Sequence, residues 1–126
     1  MKESFLRFSG ISGAIAVGFG ALGAHFLKEH LSDKMMAAFE TGVRYQMYHT
    51  LALIAIALLH EKFKERSIRR AGRLFMAGII LFSGSLYLMA FASLGGAQDM
   101  SLIGAMTPLG GICFIIGWLF FLRTMF

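Results

Sequence analysis

The chain has 126 residues, of which 57% are hydrophobic and 15% charged, with a formal net charge of +5. Soluble domains carry about a quarter charged residues, so this composition excludes an ordinary water-soluble protein, and the length fits one domain. Most of the chain consists of four charge-free intervals: 8–27, 45–60, 74–98 and 100–122. Because about 20 apolar residues cross a bilayer as a helix, three intervals are long enough and the second is short. The sequence predicts an all-α integral membrane bundle of four transmembrane helices, at about 5–27, 43–60, 72–94 and 102–122.

Positive charge is distributed unevenly between the ends of these helices. Of the 12 Lys and Arg residues, only Lys28, Lys34 and Arg44 fall on one predicted side. Positive charge stays on the cytoplasmic side, so we expect a multi-pass membrane protein with both termini cytoplasmic. The basic loop 61–73, which includes Lys64, serves orientation, with attraction to anionic lipid as the alternative. The expected partner is the lipid bilayer, and no nucleic-acid partner is expected.

The first helix is rich in small residues at helical spacing. One stripe recurs every four residues, and a second lies beside it. Such stripes let helix backbones approach closely inside a membrane. We therefore expect the first helix near the centre of the bundle, with two neighbours. The stripes are Ser12, Ala16, Gly20 and Ala24, and Gly10, Ala14 and Gly18.

Residues 28–43 are amphipathic rather than membrane-spanning, with apolar side chains every fourth residue from Leu31 to Val43. Ser32 or Asp33 is a good N-cap for a short helix here. We predict a short interfacial segment between the first and second helices, with Gly42 as a hinge. One continuous bent helix is the alternative.

The third and fourth helices contain residues that favour close packing or local distortion. Ser83 and Ser85 lie near the middle of the third helix, and Gly84 between them would permit a close crossing. Pro108 removes a backbone hydrogen bond inside the fourth helix, so a kink or local unwinding is expected there. The residues assigned to packing are Gly20, Ala24, Gly84, Pro108, Gly110, Gly111 and Gly117.

Polar side chains concentrate where the second helix begins. Under the predicted topology they lie in the extracytoplasmic half of the bundle, with Ser85 and Tyr87 deeper on the third helix. Polar groups are costly in lipid, so these residues should face an interior. We hypothesise a pocket that binds a lipid headgroup, a small ligand or a partner membrane protein. In the alternative, Arg44, Tyr45 and Tyr48 anchor at headgroups and His49 makes an interhelical hydrogen bond. The candidate ligand-binding residues are His25, Arg44, Tyr45, Gln46, Tyr48, His49, Ser85, Tyr87 and Thr107.

Other functional classes receive less support from the residues. His25 and His49 could in principle hold a metal or haem, but no His-x-x-x-His pair accompanies them, so no cofactor or metal is expected. A Tyr–His pair can transfer protons, but no nucleophile, carboxylate pair or phosphate loop accompanies it, so we expect no catalytic residues and no enzymatic activity. The interpretation is a binding or accessory protein, with a homo-oligomer or a partner membrane protein as further options. The alternative is a small-solute or ion transporter or channel acting as an oligomer.

Four ordered motifs point to a known family. They are Gly20-Ala21-Leu22-Gly23-Ala24-His25, Arg44-Tyr45-Gln46 with Tyr48-His49, Phe82-Ser83-Gly84-Ser85-Leu86-Tyr87, and Pro108-Leu109-Gly110-Gly111 with Gly117-Trp118. Over essentially its whole length the chain resembles the small bacterial inner-membrane family of unknown function that includes YgdD and YwdK. The resemblance implies an integral membrane protein of the bacterial plasma (inner) membrane with four helices, and it brings no established activity. One departure is Leu22, where the family motif has Phe.

Overall fold

The computed structural model describes residues 1–63 and 65–126, so Lys64 of the predicted basic loop lies outside it. The described residues form helices and connecting turns without strands, which confirms the all-α prediction. Three helices are long and apolar enough to cross a membrane by length and composition: Lys2–His30, Glu65–Leu94 and Ser101–Arg123. The helix Asp33–Leu59 is not among these three. In chain order the helices are α1 (Lys2–His30), α2 (Asp33–Leu59), α3 (Glu65–Leu94) and α4 (Ser101–Arg123).

The helix α2 begins ahead of the predicted second span and runs without interruption from Asp33 to Leu59. Between α1 and α2 the helix is interrupted at Leu31 and Ser32, which are extended. Ser32 caps α2, since its side chain accepts a hydrogen bond from the Met35 amide (3.2 Å). The prediction of a separate short helix is therefore wrong, and residues 33–43 are continuous with the second helix, as the alternative expected. Gly42 is not a hinge, because it lies within this uninterrupted helix.

The helices follow one another around the bundle. α1 packs along α2, α2 along α3, and α3 along α4, while α1 makes few contacts with α3. The prediction of a central α1 is therefore wrong. Its first stripe does face α2, where Ser12 and Ala16 are buried, but the second stripe faces outward. The exposed residues of that stripe are Gly10, Ala14 and Gly18.

The contact between α3 and α4 depends on the absence of side chains at particular glycines. A Cβ on Gly110 would lie 2.7 Å from Phe82 Cα, too close for any residue but glycine without moving a backbone. A Cβ on Gly117 would lie equally close to the Phe75 ring. These glycines let the two helices approach closely. Gly84 and Ala24, in contrast, do not lie at such crossings. A Cβ on Gly84 would have no neighbouring atom within 4 Å, and Ala24 is exposed.

Helix α4 remains helical through Pro108, so the predicted local unwinding does not occur. Pro108 is exposed on the surface of the helix. Gly110 and Gly111 do not unwind the turn either, because Gly110 is held against α3. Two π-helical turns occur instead elsewhere, at Gly23–Leu27 in α1 and Ile79–Ser83 in α3.

One end of the bundle collects basic residues. Arg69 Nε lies 3.1 Å from Met1 Sδ, which joins the start of α1 to the start of α3. Arg70 lies over the Phe120 ring at 5.5 Å, which joins the start of α3 to the end of α4. We refer to this as the basic end. An apolar core that includes Phe5, Ile56 and Phe75 packs near it.

Candidate functional site

A buried set of polar side chains links α1, α2 and α3. Gln46 Nε2 donates to the Ser12 carbonyl oxygen (3.0 Å) and to Ser12 Oγ (3.1 Å). Ser12 Oγ lies 2.7 Å from Thr50 Oγ1, and Tyr87 Oη donates to Gln46 Oε1 (2.5 Å). We call Ser12, Gln46, Thr50 and Tyr87 the polar bridge. Gln46 thus holds α1 with its amide nitrogen and α3 with its amide oxygen.

The chemistry of these partners fixes the orientation of the Gln46 amide. The Ser12 carbonyl only accepts hydrogen bonds, so it must face the amide nitrogen. Tyr87 then supplies its hydroxyl proton to the amide oxygen. All four residues of the bridge are buried, and Gln46 is only 4% exposed. The donors of Gln46 and Tyr87 are therefore used within the protein.

His49 lies in a different place from the polar bridge. Its Nε2 accepts a hydrogen bond from Trp118 Nε1 (3.0 Å), and its Nδ1 lies 2.8 Å from the Tyr45 carbonyl oxygen. An indole N–H only donates, so Nε2 carries no proton and Nδ1–H donates to Tyr45. The ring also stacks on Phe114, with centroids 3.6 Å apart. Both nitrogens are occupied, which leaves His49 without a free ligand position.

Two further pairs connect α3 to its neighbours. Ser85 Oγ lies 2.5 Å from Thr107 Oγ1 of α4, and Ser83 Oγ donates to the Gly42 carbonyl of α2 (2.7 Å). Ser83 and Ser85 are buried and Thr107 is half-buried. The serine hydroxyls of α3 thus make hydrogen bonds to α2 and α4.

The remaining candidate residues point outward. Arg44 is exposed and donates to Thr41 Oγ1 on its own helix (3.1 Å). Tyr45 and Tyr48 are 39% and 55% exposed, with rings 5.8 Å apart. His25 is exposed on the π-helical turn of α1. The structure therefore brings Gln46 and Tyr87 together, and it separates them from Arg44, His49 and His25.

The polar side chains of α2 lie at different depths in the bundle, whereas the sequence predicts one cluster near its extracytoplasmic end. Gln46 lies halfway along α2. The His49 ring lies 5.2 Å from the Phe75 ring, and Phe75 follows Arg73 by two residues. His49 is thus displaced toward the basic end, away from Arg44. The difference arises because α2 begins at Asp33, which moves its polar residues inward from the helix end.

A groove opens between α1 and α3 above the polar bridge. Its volume is about 280 Å³. Gly84 forms part of its wall, and the space beside its Cα is open. Ile11 and Ile80, on opposite walls, are 64% and 60% exposed. We call this the α1–α3 groove; its lining is Phe8, Ile11, Ser12, Ile15, Gln46, Ile79, Ile80, Gly84 and Tyr87.

The groove coincides with the π-helical turn of α3. Ile79 and Ile80 belong to that turn, and Gly84 follows it directly. Such turns inside α-helices occur frequently at functional sites. No group of three or more His, Cys, Asp or Glu residues suited to a metal ion occurs in the ranges 1–63 and 65–126.

Sequence reasoning missed three members of these contacts. Ser12 counted only as a small packing residue, and Thr50 was not named as a candidate. Gln46 and Thr50 are four residues apart and so share a face of α2, which was the available signal. Trp118 has the character of an interfacial residue, but its indole binds His49 from a distant part of the chain. No local pattern indicates that pairing.

Comparison with known proteins places the chain among bacterial membrane proteins. Residues 19–111 match the family described as "Protein of unknown function (DUF423)". The UPF0382 membrane protein YwdK of Bacillus subtilis is 44% identical over 116 residues, covering 91% of this chain and 89% of the relative. The UPF0382 membrane protein of Haemophilus influenzae is 38% identical, covering 94% and 90%.

A staphylococcal relative extends the similarity over nearly the whole chain. The UPF0382 membrane protein SH2409 of Staphylococcus haemolyticus is 39% identical, covering 97% of this chain and 94% of the relative. No solved structure matches the chain significantly. The identity of the relatives confirms the resemblance found in the sequence motifs. The chain belongs to the DUF423 (UPF0382) family of membrane proteins, for which no activity is assigned.

Proposed function

We propose that this protein is a four-helix protein of the bacterial inner membrane whose α1–α3 groove binds the hydrocarbon chain of a membrane lipid. Both termini lie in the cytoplasm, because the basic end carries most of the positive charge. At 1.5 Å per residue, α2 is about 40 Å long, enough to cross the bilayer. Its Gln46, His49 and Thr50 side chains are buried against other helices, which spares them contact with lipid.

The proposal depends on the open space beside Gly84. The polar bridge next to this space already makes its hydrogen bonds within the protein. The amide nitrogen of Gln46 donates to Ser12, and the O–H of Tyr87 donates to Gln46 Oε1. What remains for a ligand is the apolar wall that includes Ile11 and Ile80. Pockets of a few hundred Å³ with apolar walls suit apolar ligands. A hydrocarbon chain therefore fits the groove better than a polar solute does.

The role is binding without catalysis, as an accessory protein of the membrane. Transport gains no support from α4, which is helical through Pro108 and offers no unwound backbone to a substrate. The buried imidazole of His49 is committed to Trp118 and Tyr45. Binding of a lipid chain needs neither a polar path nor a free titratable group.

Photo-crosslinking tests this function. The protein is reconstituted with equal phosphatidylglycerol and phosphatidylcholine, both carrying a diazirine in the acyl chain, and is then irradiated and digested for mass spectrometry. We expect greater labelling at Ile80, in the groove, than at Ile115 on α4, because a bound chain stays longer than a passing one. The two side chains are equally exposed, at 60% and 63%, so simple contact with bulk lipid would label them alike.

A substitution that fills the groove provides the matched control. Gly84→Leu places a side chain in open space and should remove the excess labelling at Ile80. Gly104→Leu adds the same side chain on α4, where the space is equally open, and should leave the excess unchanged. Equal labelling of Ile80 and Ile115 in the unmodified protein would contradict the proposed function.

A further inference from the structure

We infer that the lipid held by the groove is an anionic phospholipid of the cytoplasmic leaflet, whose phosphate binds Arg69 and Arg73. This inference rests on the proposed function and adds the class of headgroup to it. It comes from a second cavity, of about 450 Å³, between the beginnings of α1 and α3. We call it the arginine cleft; it is lined by Met1, Ser4, Phe5, Arg69, Arg73 and Met76.

The arginine cleft combines the two kinds of surface that a phospholipid presents. Arg69 and Arg73 are one helical turn apart, so their side chains leave α3 on the same face. Ser4 supplies a hydroxyl opposite them, and Phe5 and Met76 supply apolar surface. Guanidinium groups bind phosphate oxygens through paired hydrogen bonds. A phosphate with an attached hydrocarbon chain matches this combination.

The arginines keep donors for such a ligand. Arg69 uses Nη2 for Glu65 and Nε for Met1 Sδ, which leaves its Nη1 group. Within residues 1–63 and 65–126 the Arg69–Glu65 pair is the only ion pair, so the exposed Arg73 has no acidic partner there. None of the residues that line the cleft is acidic. An anion would therefore meet a net positive site.

The cleft and the groove follow the same two helix faces. On α1 the lining residues recur three or four positions apart from Ser4 through Phe8 and Ile11 to Ile15, which is one face of a helix. On α3 the lining continues from Arg73 through Met76 to Gly84 with similar spacing. One helical turn separates the two cavities on each helix. They therefore form successive parts of the α1–α3 boundary, charged at the basic end and apolar beyond it.

The length of this boundary agrees with one leaflet. Gly84 follows Arg73 by 11 residues, which corresponds to about 16 Å along the helix. Half of the hydrocarbon core of a bilayer is about 15 Å. A lipid with its phosphate at Arg73 can therefore place its acyl chain alongside Gly84. With the basic end in the cytoplasm, the headgroup belongs to the cytoplasmic leaflet, where anionic lipid attracts basic residues.

Native mass spectrometry tests the headgroup. The protein is released from bilayers with equal phosphatidylglycerol and phosphatidylcholine into neutral detergent, and bound lipid is counted after stepwise dilution. We expect one phosphatidylglycerol to be retained in preference to phosphatidylcholine. In Arg69→Gln/Arg73→Gln that preference should fall about 30-fold, since each guanidinium that hydrogen-bonds the bound phosphate contributes on the order of 1 kcal/mol. Thermal unfolding confirms that the variant is folded.

A second pair of arginines provides the matched control. Arg66→Gln/Arg70→Gln removes the same charge from the same turns of α3, but neither residue lines the cleft. This variant should retain the preference within about twofold. Equal losses in both double variants would mean general attraction to basic residues and would overturn the inference. Competition by millimolar inorganic phosphate would also overturn it, because the site would then bind free anion rather than lipid.

The outcomes separate this inference from the proposed function. If Ile80 is preferentially crosslinked and phosphatidylglycerol is not preferred, the groove binds lipid chains of any headgroup, and the inference is wrong. If the preference exists and depends on Arg69 and Arg73, Gly84→Leu should weaken retention of the same lipid. Preference without any effect of Gly84→Leu would overturn the continuous placement of headgroup and chain.

Discussion

The hydrogen bond between Tyr87 and Gln46 permits a quantitative test of the polar bridge. Tyr87→Phe removes the hydroxyl that donates to Gln46 Oε1 (2.5 Å) and leaves the ring in place. Gln46→Met keeps a side chain of similar length and volume and removes both the amide oxygen and the amide nitrogen. The two single variants and the double variant form a thermodynamic cycle.

The expected magnitude follows from the surroundings of the bond. Hydrogen bonds between membrane helices contribute about 0.6 kcal/mol on average and at most about 1.7 kcal/mol. This bond is short, and both residues are buried, with exposures of 8% for Tyr87 and 4% for Gln46. We therefore expect Tyr87→Phe to lower the free energy of unfolding by about 1 kcal/mol. Gln46→Met should cost about 2 kcal/mol, because its bonds to Ser12 are lost as well.

The assay is reversible unfolding of the purified protein in mixed micelles with increasing denaturing detergent. Tyr48→Phe is the control, since Tyr48 is 55% exposed, and it should change the free energy of unfolding by less than about 0.5 kcal/mol. The double variant should be less destabilised than the sum of the single variants, by about 1 kcal/mol. Additive effects, or equal effects of Tyr87→Phe and Tyr48→Phe, would refute the bridge.

Three further predictions concern the packing of α4 and the orientation of the chain. Gly110→Ala should lower the free energy of unfolding by about 1–3 kcal/mol, because the new Cβ meets the Phe82 backbone. In Gly111→Ala the nearest atom to the new Cβ is 3.9 Å away, so this variant should be neutral or stabilising. Equal effects of the two substitutions in the same detergent titration would contradict the packing. Trp118→Phe and His49→Leu should each cost about 1 kcal/mol, and combining them should add less than their sum. Cysteines added at either terminus should resist a membrane-impermeant maleimide in intact cells, and labelling of either would contradict the proposed orientation.

The helical class could be predicted from the sequence, whereas the start of α2 could not. Charge-free intervals indicate which segments tolerate lipid, and the second interval begins only after Glu40 and Arg44. Backbone helicity follows other rules, because Ser32 caps the helix and no breaker follows it. Gly42 was interpreted as a hinge because the sequence does not show the Tyr87 ring, which lies 2.9 Å from where its Cβ would be.

The site was predictable in its residue types and not in its pairings. Gln46 and Tyr87 were both identified as polar residues that need partners, as the cost of polar groups in lipid requires. Their contact depends on how α2 is placed between α1 and α3, which no local spacing specifies. The depth of His49 was misjudged for a related reason, because its level was counted from a helix end at residue 43. Starting α2 at Asp33 changes that level.

The sparse contact between α1 and α3 divides the bundle into two antiparallel hairpins that meet mainly through α2 and α3. Rings inserted at Gly78 and Gly117 fasten the second hairpin, so it should move as a unit. A hydrocarbon chain that enters beside Gly84 would separate α1 from α3, while α2 and α3 stay in contact. Gln46 of α2 binds both Ser12 of α1 and Tyr87 of α3, so its two hydrogen bonds limit how far α1 and α3 can move apart.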